Sequence, residues 1–446
     1  MIGNCNYDST GQAKSDSKTV ETNAAAGAYL GVPAAAFLYM RSEMVRMKVL
    51  FVNLVYGAGS TGKIIADMME DLKKSGHDAK ALYGTGERSE APDAVRVSGK
   101  FGYYFHNAVS RFTDHAGLYS RAATRKLIRE IRAFSPDVIH LHTLHGFYVN
   151  YEMLFRFLKE ANIPVVWTLH DCWTFTGHCT HFSQANCTQW QTLCQDCRLL
   201  YRYPKCYCKG DVTRNYLRKK AAFTGVKNLT VTTPSQWLAQ QVARSFLRDY
   251  PCVVIPNGID RAVFRPQPSD LRAVYHLQDK KIVLGVANVW NARKGLPDML
   301  TLAERLDAAY QVVLIGLTER QLPDIPPNVL GLVRTANRAE LAQWYTAADV
   351  FVNPTYEETF GLTTVEAQAC GTPAVVYATD GCPETLLTED SVLVVQGDQE
   401  ALARAVREIA QRGVRVDEHA ADRLDKDRAY EKYIRLYERV CARELS

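Results

Sequence analysis

The chain has 446 residues, a formal net charge of +5, 47% hydrophobic residues and 23% charged residues. This length favours two domains of roughly two hundred residues each, and the composition is that of a globular protein with an ample core. No uninterrupted apolar run of about eighteen residues is present, which disfavours a membrane-spanning helix, and the small net charge does not by itself indicate nucleic-acid binding.

The first 46 residues differ in character from the rest of the chain. They are polar, then alanine-rich, and nothing in them resembles the basic head of a signal peptide. The first convincing strand, Lys48–Leu54, begins directly after Met47. We therefore expect residues 1–46 to be a disordered leader or an over-extended start, with Met44 or Met47 as the natural beginning.

From Met47 onward, short apolar runs alternate with longer amphipathic segments. The predicted strands are Lys48–Leu54, Asp78–Tyr83, Val138–Leu141, Val165–Leu169 and Thr230–Thr233. The predicted helices include Ile64–Ser75, Arg121–Phe134 and Tyr151–Glu160. This alternation predicts a doubly wound parallel sheet over residues 47–251, with ligands at the carboxyl ends of its strands.

A glycine-rich loop, Gly57–Ile64, follows the first strand. Its first seven positions match a P-loop, but Ile64 stands where that motif needs a serine or threonine to bind Mg²⁺. This departure disfavours a nucleoside triphosphatase. Lys63 either contacts a phosphate or simply begins the next helix.

Histidines follow the ends of two predicted strands. His142 and His145 follow one strand, and the pair His170 and Asp171 follows the next. A histidine at a strand end usually has a structural role. The buried strand before His170 and the carboxylate after it favour a functional role for His170 over the other two.

Seven of the twelve cysteines lie between Cys172 and Cys208. Four of them have spacings compatible with a tetrahedral structural zinc site: Cys179, Cys187, Cys194 and Cys197. Two other interpretations of this insert, about residues 172–208, stay open. The cysteines are reduced, partly buried thiols, or they form disulfides, which a cytoplasmic compartment disfavours.

Two segments combine cations with aromatic residues. Residues 198–227 hold nine Lys or Arg against one acid, and residues 100–132 hold seven against two. Such segments fit an anionic membrane surface, a polyanionic acceptor or an ordinary solvated face. We predict a cytoplasmic protein, with peripheral contact at the inner face of the membrane as one candidate interaction and no nucleic-acid partner.

The second half is predicted to form a domain over residues 252–413. It carries loop motifs after its apolar runs, at Pro256–Asp260, Arg293–Gly295 and Ala378–Glu384. Residues 414–446 are predicted to hold a final helix, about residues 422–444, that packs back on the first domain.

The most informative segment of the second half is Asn353–Glu366. It follows a short buried strand, Asp349–Val352, and leads into a helix over Leu362–Cys370 that Gly371 stops. The segment is therefore a strand–loop–helix junction, where chemical groups collect at the edge of a sheet.

Two carboxylates and a set of amides occupy this junction. Glu358 lies in the loop and Glu366 about a turn into the helix, with seven residues between them. Phe360, Gly361 and Leu362 present backbone N–H groups at the helix N-terminus, where an anion is favoured. Carboxylates suit sugar or ribose hydroxyls and amides suit a diphosphate, so this turn can hold a nucleotide-sugar.

The two glutamates resemble the E-x7-E signature of retaining glycosyltransferases of family 4, which have the GT-B fold. The loops Pro256–Asp260 and Arg293–Gly295 are similar to other elements of that family, and the resemblance extends over Met47–Ser446. The cysteine-rich insert is similar to that of bacterial exopolysaccharide and colanic-acid-type members. The resemblance implies an α/β chain of two Rossmann-like doubly wound domains that face each other across a cleft.

The resemblance also implies roles for individual residues. Arg293 and Lys294 would clamp the donor diphosphate without a metal, because cations stabilise the departing phosphate. Glu358 would hold hydroxyls of the donor sugar, Glu366 would hold the ribose, and His170 would lie beside the donor sugar. His170, Lys294 and Glu358 are thus the predicted catalytic residues.

The glycine-rich loop and one departure complete the predicted site. Gly59 and Gly62 fit the family's loop near the acceptor and the donor phosphate, since a backbone must approach a ligand closely there. The family often has an arginine five or six residues before Lys294, where this chain has Val289 and Asn288. Lys294 must then carry more of the charge.

The implied reaction moves a hexosyl unit from a nucleotide-sugar to a saccharide or lipid-linked saccharide, with retention of the anomeric configuration. The nucleotide-sugar is a substrate, and no catalytic cofactor is expected. Cell-surface polysaccharide biosynthesis is the implied process. Two alternatives stay open: a GT-B sugar-nucleotide epimerase or hydrolase, and a non-catalytic component of polysaccharide assembly.

Overall fold

The computed structural model describes residues Arg46–Ala442. Residues 1–45, nearly all of the predicted leader, and residues 443–446 lie outside this range. The strands within it are β1 Lys48–Asn53, β2 Asp78–Tyr83, β3 Ala94–Arg96, β4 Val138–Leu141, β5 Val165–Thr168, β6 Leu229–Thr233, β7 Cys252–Val254, β8 Lys281–Val286, β9 Tyr310–Ile315, β10 Val329–Leu332, β11 Val350–Asn353, β12 Ala374–Tyr377 and β13 Val392–Val394.

Most of the longer connections between these parallel strands contain α-helices, which is the usual way to join parallel strands. The α-helices are Gly59–Lys74, Lys100–Thr113, Arg121–Phe134, Tyr151–Ala161, Val212–Phe223, Gln236–Arg244, Leu271–Val274, Leu296–Arg305, Arg338–Ala347, Leu362–Ala369, Gln399–Arg412 and Lys426–Ala442. The segment between β5 and the helix Val212–Phe223 has only three short 3₁₀ turns, and it contains the cysteine-rich insert.

The first sheet has seven parallel strands in the order β3-β2-β1-β4-β5-β6-β7. Side chains of β1 alternate between its faces: Leu50 and Val52 pack into one buried cluster, and Val49 and Phe51 pack into another. The second sheet has six parallel strands in the order β10-β9-β8-β11-β12-β13. Both sheets reverse their order at their first strand, β1 or β8, and such switch points bind ligands outside the carboxyl ends of the strands.

Strand β7 belongs to a different sheet from the one predicted. We expected Cys252 to open the second domain, but β7 pairs with β6, with Cys252 beside Val231. The helix Gln236–Arg244 forms the crossover that returns the chain parallel to β6, so the first sheet extends to Val254.

The final helix, Lys426–Ala442, returns to the first sheet. Its buried face includes Tyr430, Tyr433 and Tyr437, which share a hydrophobic cluster with Phe51 of β1. The Tyr437 hydroxyl also lies 2.7 Å from Nδ1 of His140. The chain therefore crosses from the second sheet back to the first at its end.

Candidate functional site

The loop between β11 and the helix Leu362–Ala369 lies at the switch point of the second sheet. Gly361 has a φ of 94°, a left-handed conformation that a side chain would strain. Asn353 Nδ2 donates a 3.0 Å hydrogen bond to Thr364 Oγ1, which ties the strand end to the first helical turn. This helix has no side-chain cap, so its first backbone N–H groups remain available to a ligand.

Lys294 and Glu358 meet at this loop. Lys294 ends the 3₁₀ turn Ala292–Lys294, which Asn291 caps by accepting a 3.1 Å hydrogen bond from the Lys294 backbone N–H. The Lys294 ammonium forms an ion pair with the Glu358 carboxylate. Burial by itself would raise the pKa of Glu358. The charge and the hydrogen bond of Lys294 are the main opposing effects, and the pKa is lowered to about 2. Two predicted catalytic residues thus form one charged pair.

Arg293 is directed at the backbone of the same loop. Its Nη1 donates a 2.9 Å hydrogen bond to the Glu357 carbonyl, and its own carbonyl accepts one of 2.8 Å from Tyr356 N–H. Gly295 permits this contact, because a Cβ there would stand 2.2 Å from the Pro354 carbonyl oxygen. Arg293 therefore fastens the loop of Glu358 to the turn that carries Lys294.

His170 lies where the two sheets face each other. Its Nε2 is 3.0 Å from His142 Nδ1, and its carbonyl accepts a 2.9 Å hydrogen bond from Thr359 Oγ1 of the second half. Burial lowers the pKa of His170 to about 4, so the ring is neutral. Beside it, His145 Nε2 lies 2.6 Å from Asp171 Oδ2. His170 thus connects the first half of the chain to the Glu358 loop.

A cavity of about 490 Å³ lies between the glycine-rich loop and the helix Leu362–Ala369. Gly59 and Lys63 line it from the first half, and Asn288, Leu362 and Glu366 line it from the second. The fold therefore brings predicted residues from both halves of the chain to one cavity.

Gly62, predicted to contact a ligand, does not line this cavity. It is buried in the helix Gly59–Lys74, and a Cβ there would stand 3.0 Å from Val55 Cγ2. The glycine is needed because the loop before the helix packs tightly against it. Phe360 is also buried, in the core of the second half, so only its backbone can serve a ligand.

Glu366 contacts Tyr345, whose hydroxyl donates a 3.1 Å hydrogen bond to Oε2. Burial raises the pKa of Glu366 to about 7, against the smaller opposing effects of Tyr345, Arg338 and Lys63. A carboxyl group with this environment can accept or donate a hydrogen bond near neutral pH.

The structure brings further residues to the site that were not among its predicted members. Arg334 and Arg338 line the same cavity as Glu366. Asp380 accepts a 3.1 Å hydrogen bond from Glu358 N–H, and burial raises its pKa to about 6. His181, from the cysteine-rich insert, has a buried Nδ1 without a hydrogen-bond partner, and burial followed by the charge of Arg293 lowers its pKa to about 4. Asp380 lies in the loop motif Ala378–Glu384, whereas Arg334, Arg338 and His181 belong to none of the motifs described above. The proximity of these residues to the site depends on tertiary packing.

The four cysteines predicted to bind zinc border one cavity of about 260 Å³. Across residues 46–442, however, no group of three or more His, Cys, Asp or Glu side chains is placed to hold a metal ion. Burial raises the pKa of Cys179, and it raises the pKa of Cys194 to about 11. The geometry therefore does not provide the predicted zinc site, and the free cysteines fit the interpretation as reduced thiols.

Two family descriptions match consecutive parts of the chain. The model described as Glycosyltransferase Family 4 matches residues 61–263, and the model described as Glycosyl transferases group 1 matches residues 280–412. The first match contains His170 and all but the first two residues of the helix Gly59–Lys74, and the second contains Lys294, Glu358 and Glu366.

Curated relatives include a putative colanic acid biosynthesis glycosyl transferase, WcaC, of Escherichia coli K12. It is 24% identical over 386 residues, which cover 81% of this chain and 92% of the relative. A GDP-mannose-dependent alpha-(1-6)-phosphatidylinositol dimannoside mannosyltransferase of Mycobacterium tuberculosis is 32% identical over 170 residues, which cover 36% of this chain and 44% of the relative.

Solved structures share the two-sheet architecture. Sucrose-phosphate synthase from Thermosynechococcus elongatus superposes with a TM-score of 0.63 at 18% identity, covering 89% of this chain and 100% of that protein. HepE from Anabaena, solved in complex with UDP-glucose, gives a TM-score of 0.58 at 18% identity, covering 88% of this chain and 100% of that protein. The chain belongs to the family 4 and group 1 glycosyltransferases, and its two parallel sheets are the two Rossmann-like domains of the GT-B fold.

Proposed function

We propose that this glycosyltransferase moves a hexosyl unit from a nucleotide-sugar to a saccharide or lipid-linked saccharide, with retention, in cell-surface polysaccharide biosynthesis. The observation that carries the proposal is the Lys294–Glu358 pair beside an uncapped helix N-terminus at the switch point of the second sheet. The name of the colanic acid relative supports the process, and the UDP-glucose complex of HepE supports a nucleotide-sugar donor.

In the proposed complex, the nucleoside lies in the cavity that Glu366 lines, and Glu366 holds the ribose hydroxyls. The diphosphate lies against Lys294 and the backbone N–H groups of Phe360, Gly361 and Leu362. A cation and a helix N-terminus both favour negative charge there. Glu358 then accepts hydrogen bonds from the donor sugar. No metal is assigned to this step, because Lys294 and the amides supply the electrostatic stabilisation.

Retention is proposed to follow front-face substitution. The acceptor oxygen forms its bond to the anomeric carbon on the face from which the diphosphate departs, and its proton passes to the departing phosphate oxygen. Glu358 is already engaged with Lys294, which leaves it suited to orient the sugar rather than to attack it. The other carboxylate near the loop, Asp380, accepts a hydrogen bond from Glu358 N–H.

The direct test is a thermal-shift screen against UDP-, GDP- and TDP-sugars, followed by product analysis with the donor that stabilises most. Transfer to a saccharide acceptor is the expected result. An isomerised donor would identify an epimerase, release of free sugar despite saturating acceptor would identify a hydrolase, and binding without turnover would identify a non-catalytic component.

Replacing Glu366 with glutamine should weaken the binding of the nucleoside diphosphate by about tenfold or more, because a charge-assisted hydrogen bond is lost. The same change should alter the pH dependence of stability. The pKa of Glu366 is raised from an ordinary 4.5 to about 7, so its contribution to stability is complete below 4.5 and is lost as the pH rises through 7.

Thermal melts at about pH 5 and about pH 8 measure this effect. From about pH 5 to about pH 8, the melting temperature of wild type should fall relative to that of Glu366→Gln. The control Glu389→Gln, at an exposed position, should show the same pH dependence as wild type. A constant difference between wild type and Glu366→Gln would contradict the raised pKa.

We also propose peripheral contact with an anionic membrane at the inner face of a cytoplasmic membrane. No helix among residues 46–442 is both long and apolar enough to cross a bilayer. The helix Lys100–Thr113 buries only His106 and Ser110, and it contains no acidic residue. Its exposed aromatic side chains are Phe101 at 85%, Tyr104 at 66%, Phe105 at 54% and Phe112 at 63%.

The cysteine-rich insert extends this surface. The rings of Phe112 and Tyr207 are 6.0 Å apart, and Lys205 Nζ lies 4.9 Å from the centre of the Tyr207 ring. Aromatic rings beside cations are suited to the interface of a bilayer with anionic headgroups.

Replacing both Phe101 and Phe105 with serine should weaken binding to vesicles of phosphatidylglycerol and phosphatidylethanolamine about tenfold or more, since two exposed apolar side chains are removed. Sedimentation with vesicles measures the binding, and added salt should weaken it for wild type. Val395→Ser, an equally exposed apolar position at 71% on the second half, is the matched control. Equal sedimentation of wild type and the double variant would contradict the proposed membrane surface.

A further inference from the structure

Glu357, the residue before Glu358, forms a buried contact with the cysteine-rich insert. The Glu357 side chain is 0% exposed, and its Oε2 forms an ion pair of 2.7 Å with Arg202 Nη1. Its Oε1 accepts a 3.0 Å hydrogen bond from Gln184 N–H. Arg202 and Gln184 both belong to the cysteine-rich insert of the first half, whereas Glu357 belongs to the second half.

The insert itself is arranged for this contact. Arg202 Nη2 donates a 2.5 Å hydrogen bond to Gln184 Oε1, so the guanidinium joins two turns of the insert while it binds Glu357. A buried carboxylate needs a charged partner with good hydrogen bonds, and Arg202 supplies that charge. The insert therefore determines where the Glu357 side chain can lie.

The position of Glu357 in turn affects its neighbours. Its carbonyl accepts hydrogen bonds from Arg293 Nη1 at 2.9 Å and from Thr355 Oγ1 at 3.3 Å. Glu358 is the next residue after Glu357, and Lys294 is the next residue after Arg293, which binds the Glu357 carbonyl. Glu357 is therefore linked to Glu358 directly and to Lys294 through Arg293. A shift of Glu357 would displace both.

We propose that Arg202 and Glu357 are positioning residues, through which the cysteine-rich insert holds Glu358 and Lys294 in the geometry required for sugar transfer. This inference rests on the proposed function, because it assigns a purpose to the insert within that reaction. Neither Arg202 nor Glu357 is proposed to contact the nucleotide-sugar. Their effect passes through the Glu358 loop.

Arg202→Ala should lower kcat by about tenfold to a hundredfold, since displacements near 1 Å in a reacting pair have effects of this size. The KM for the nucleotide-sugar should change by less than about threefold, because the cavity lined by Glu366 does not include Arg202. Arg202→Lys should recover part of kcat, since the ammonium can reach Glu357 but cannot also bind Gln184. The assay is release of nucleoside diphosphate from the donor identified in the thermal-shift screen, with acceptor present.

Arg202→Ala also leaves a buried carboxylate unpaired, which destabilises the fold. The double variant Arg202→Met/Glu357→Gln removes both charges and should regain most of the lost melting temperature while kcat stays low. Arg412→Ala, which breaks the Arg412–Asp390 ion pair of 2.8 Å on the second half, is the control for removal of an arginine pair.

Recovery of kcat together with stability in the double variant would overturn the inference and leave a purely structural ion pair. Unchanged kcat in Arg202→Ala would also overturn it. In both cases, turnover by wild type in the same assay would leave the proposed function standing. Absence of transfer by wild type with every donor and acceptor tried would instead refute the proposed function and this inference with it.

Discussion

Replacing Lys294 with alanine should lower turnover by about 10²- to 10³-fold, the usual consequence of removing a group that stabilises charge developing in a transition state. Lys294 is the only cation whose side chain pairs with Glu358 within the described residues. The arginine that the family often has five or six residues earlier is replaced here by Val289 and Asn288. The neighbouring cation, Arg293, is hydrogen-bonded to the Glu357 carbonyl and is not placed to replace the charge of Lys294.

The measurement is kcat for nucleoside diphosphate release, with melting temperature recorded alongside. Lys281→Ala, which removes a half-exposed lysine paired with Asp349 on the same half of the chain, should stay within about twofold of wild type. Near wild-type turnover in the Lys294 variant would remove this residue from the proposed mechanism.

Replacing Glu358 with glutamine should lower turnover by about 10²-fold or more, while binding of the nucleoside diphosphate changes by less than about threefold. The substitution keeps the shape of the side chain but removes the charge that faces Lys294. A bound diphosphate can then pair with Lys294 in its place, so the loss is expected in the sugar-transfer step and not in nucleotide affinity.

Stability provides a second check on Glu358. Its pKa is lowered to about 2 from an ordinary 4.5, so the stabilisation is present above 4.5 and is lost as the pH falls toward 2. The melting temperature of wild type should exceed that of Glu358→Gln at neutral pH, and the difference should shrink on acidification. Parallel curves for the two proteins, or a Glu358→Gln variant that keeps full turnover, would contradict the assigned role.

The parallel sheets were the most predictable part of the fold. Strands β2 and β4 have the predicted bounds, because each is a short and mostly apolar run. Strand β7 was placed on the wrong sheet, since an apolar run at a domain junction does not specify its partner. That choice depends on the crossover helix Gln236–Arg244.

The carboxylates and backbone amides of the Glu358 loop could also be predicted from the sequence. A strand, a loop and a helix bring them together within fourteen consecutive residues, Asn353–Glu366. The Arg202–Glu357 pair could not be predicted, since 155 positions separate its members and the insert has no periodic pattern. The cysteine spacing was compatible with zinc, but across residues 46–442 no group of three or more His, Cys, Asp or Glu side chains is placed to hold a metal ion.

We propose retaining transfer from a nucleotide-sugar at the Lys294–Glu358 loop. NMR of the purified product formed with the preferred donor provides the test, because the one-bond carbon–proton coupling at the anomeric carbon reports the configuration of the new glycosidic bond. We expect a new glycosidic bond with the anomeric configuration of the donor, formed by wild type and lost in Lys294→Ala. A product of inverted configuration would contradict the proposed stereochemistry, and transfer at an undiminished rate by Lys294→Ala would contradict the proposed site.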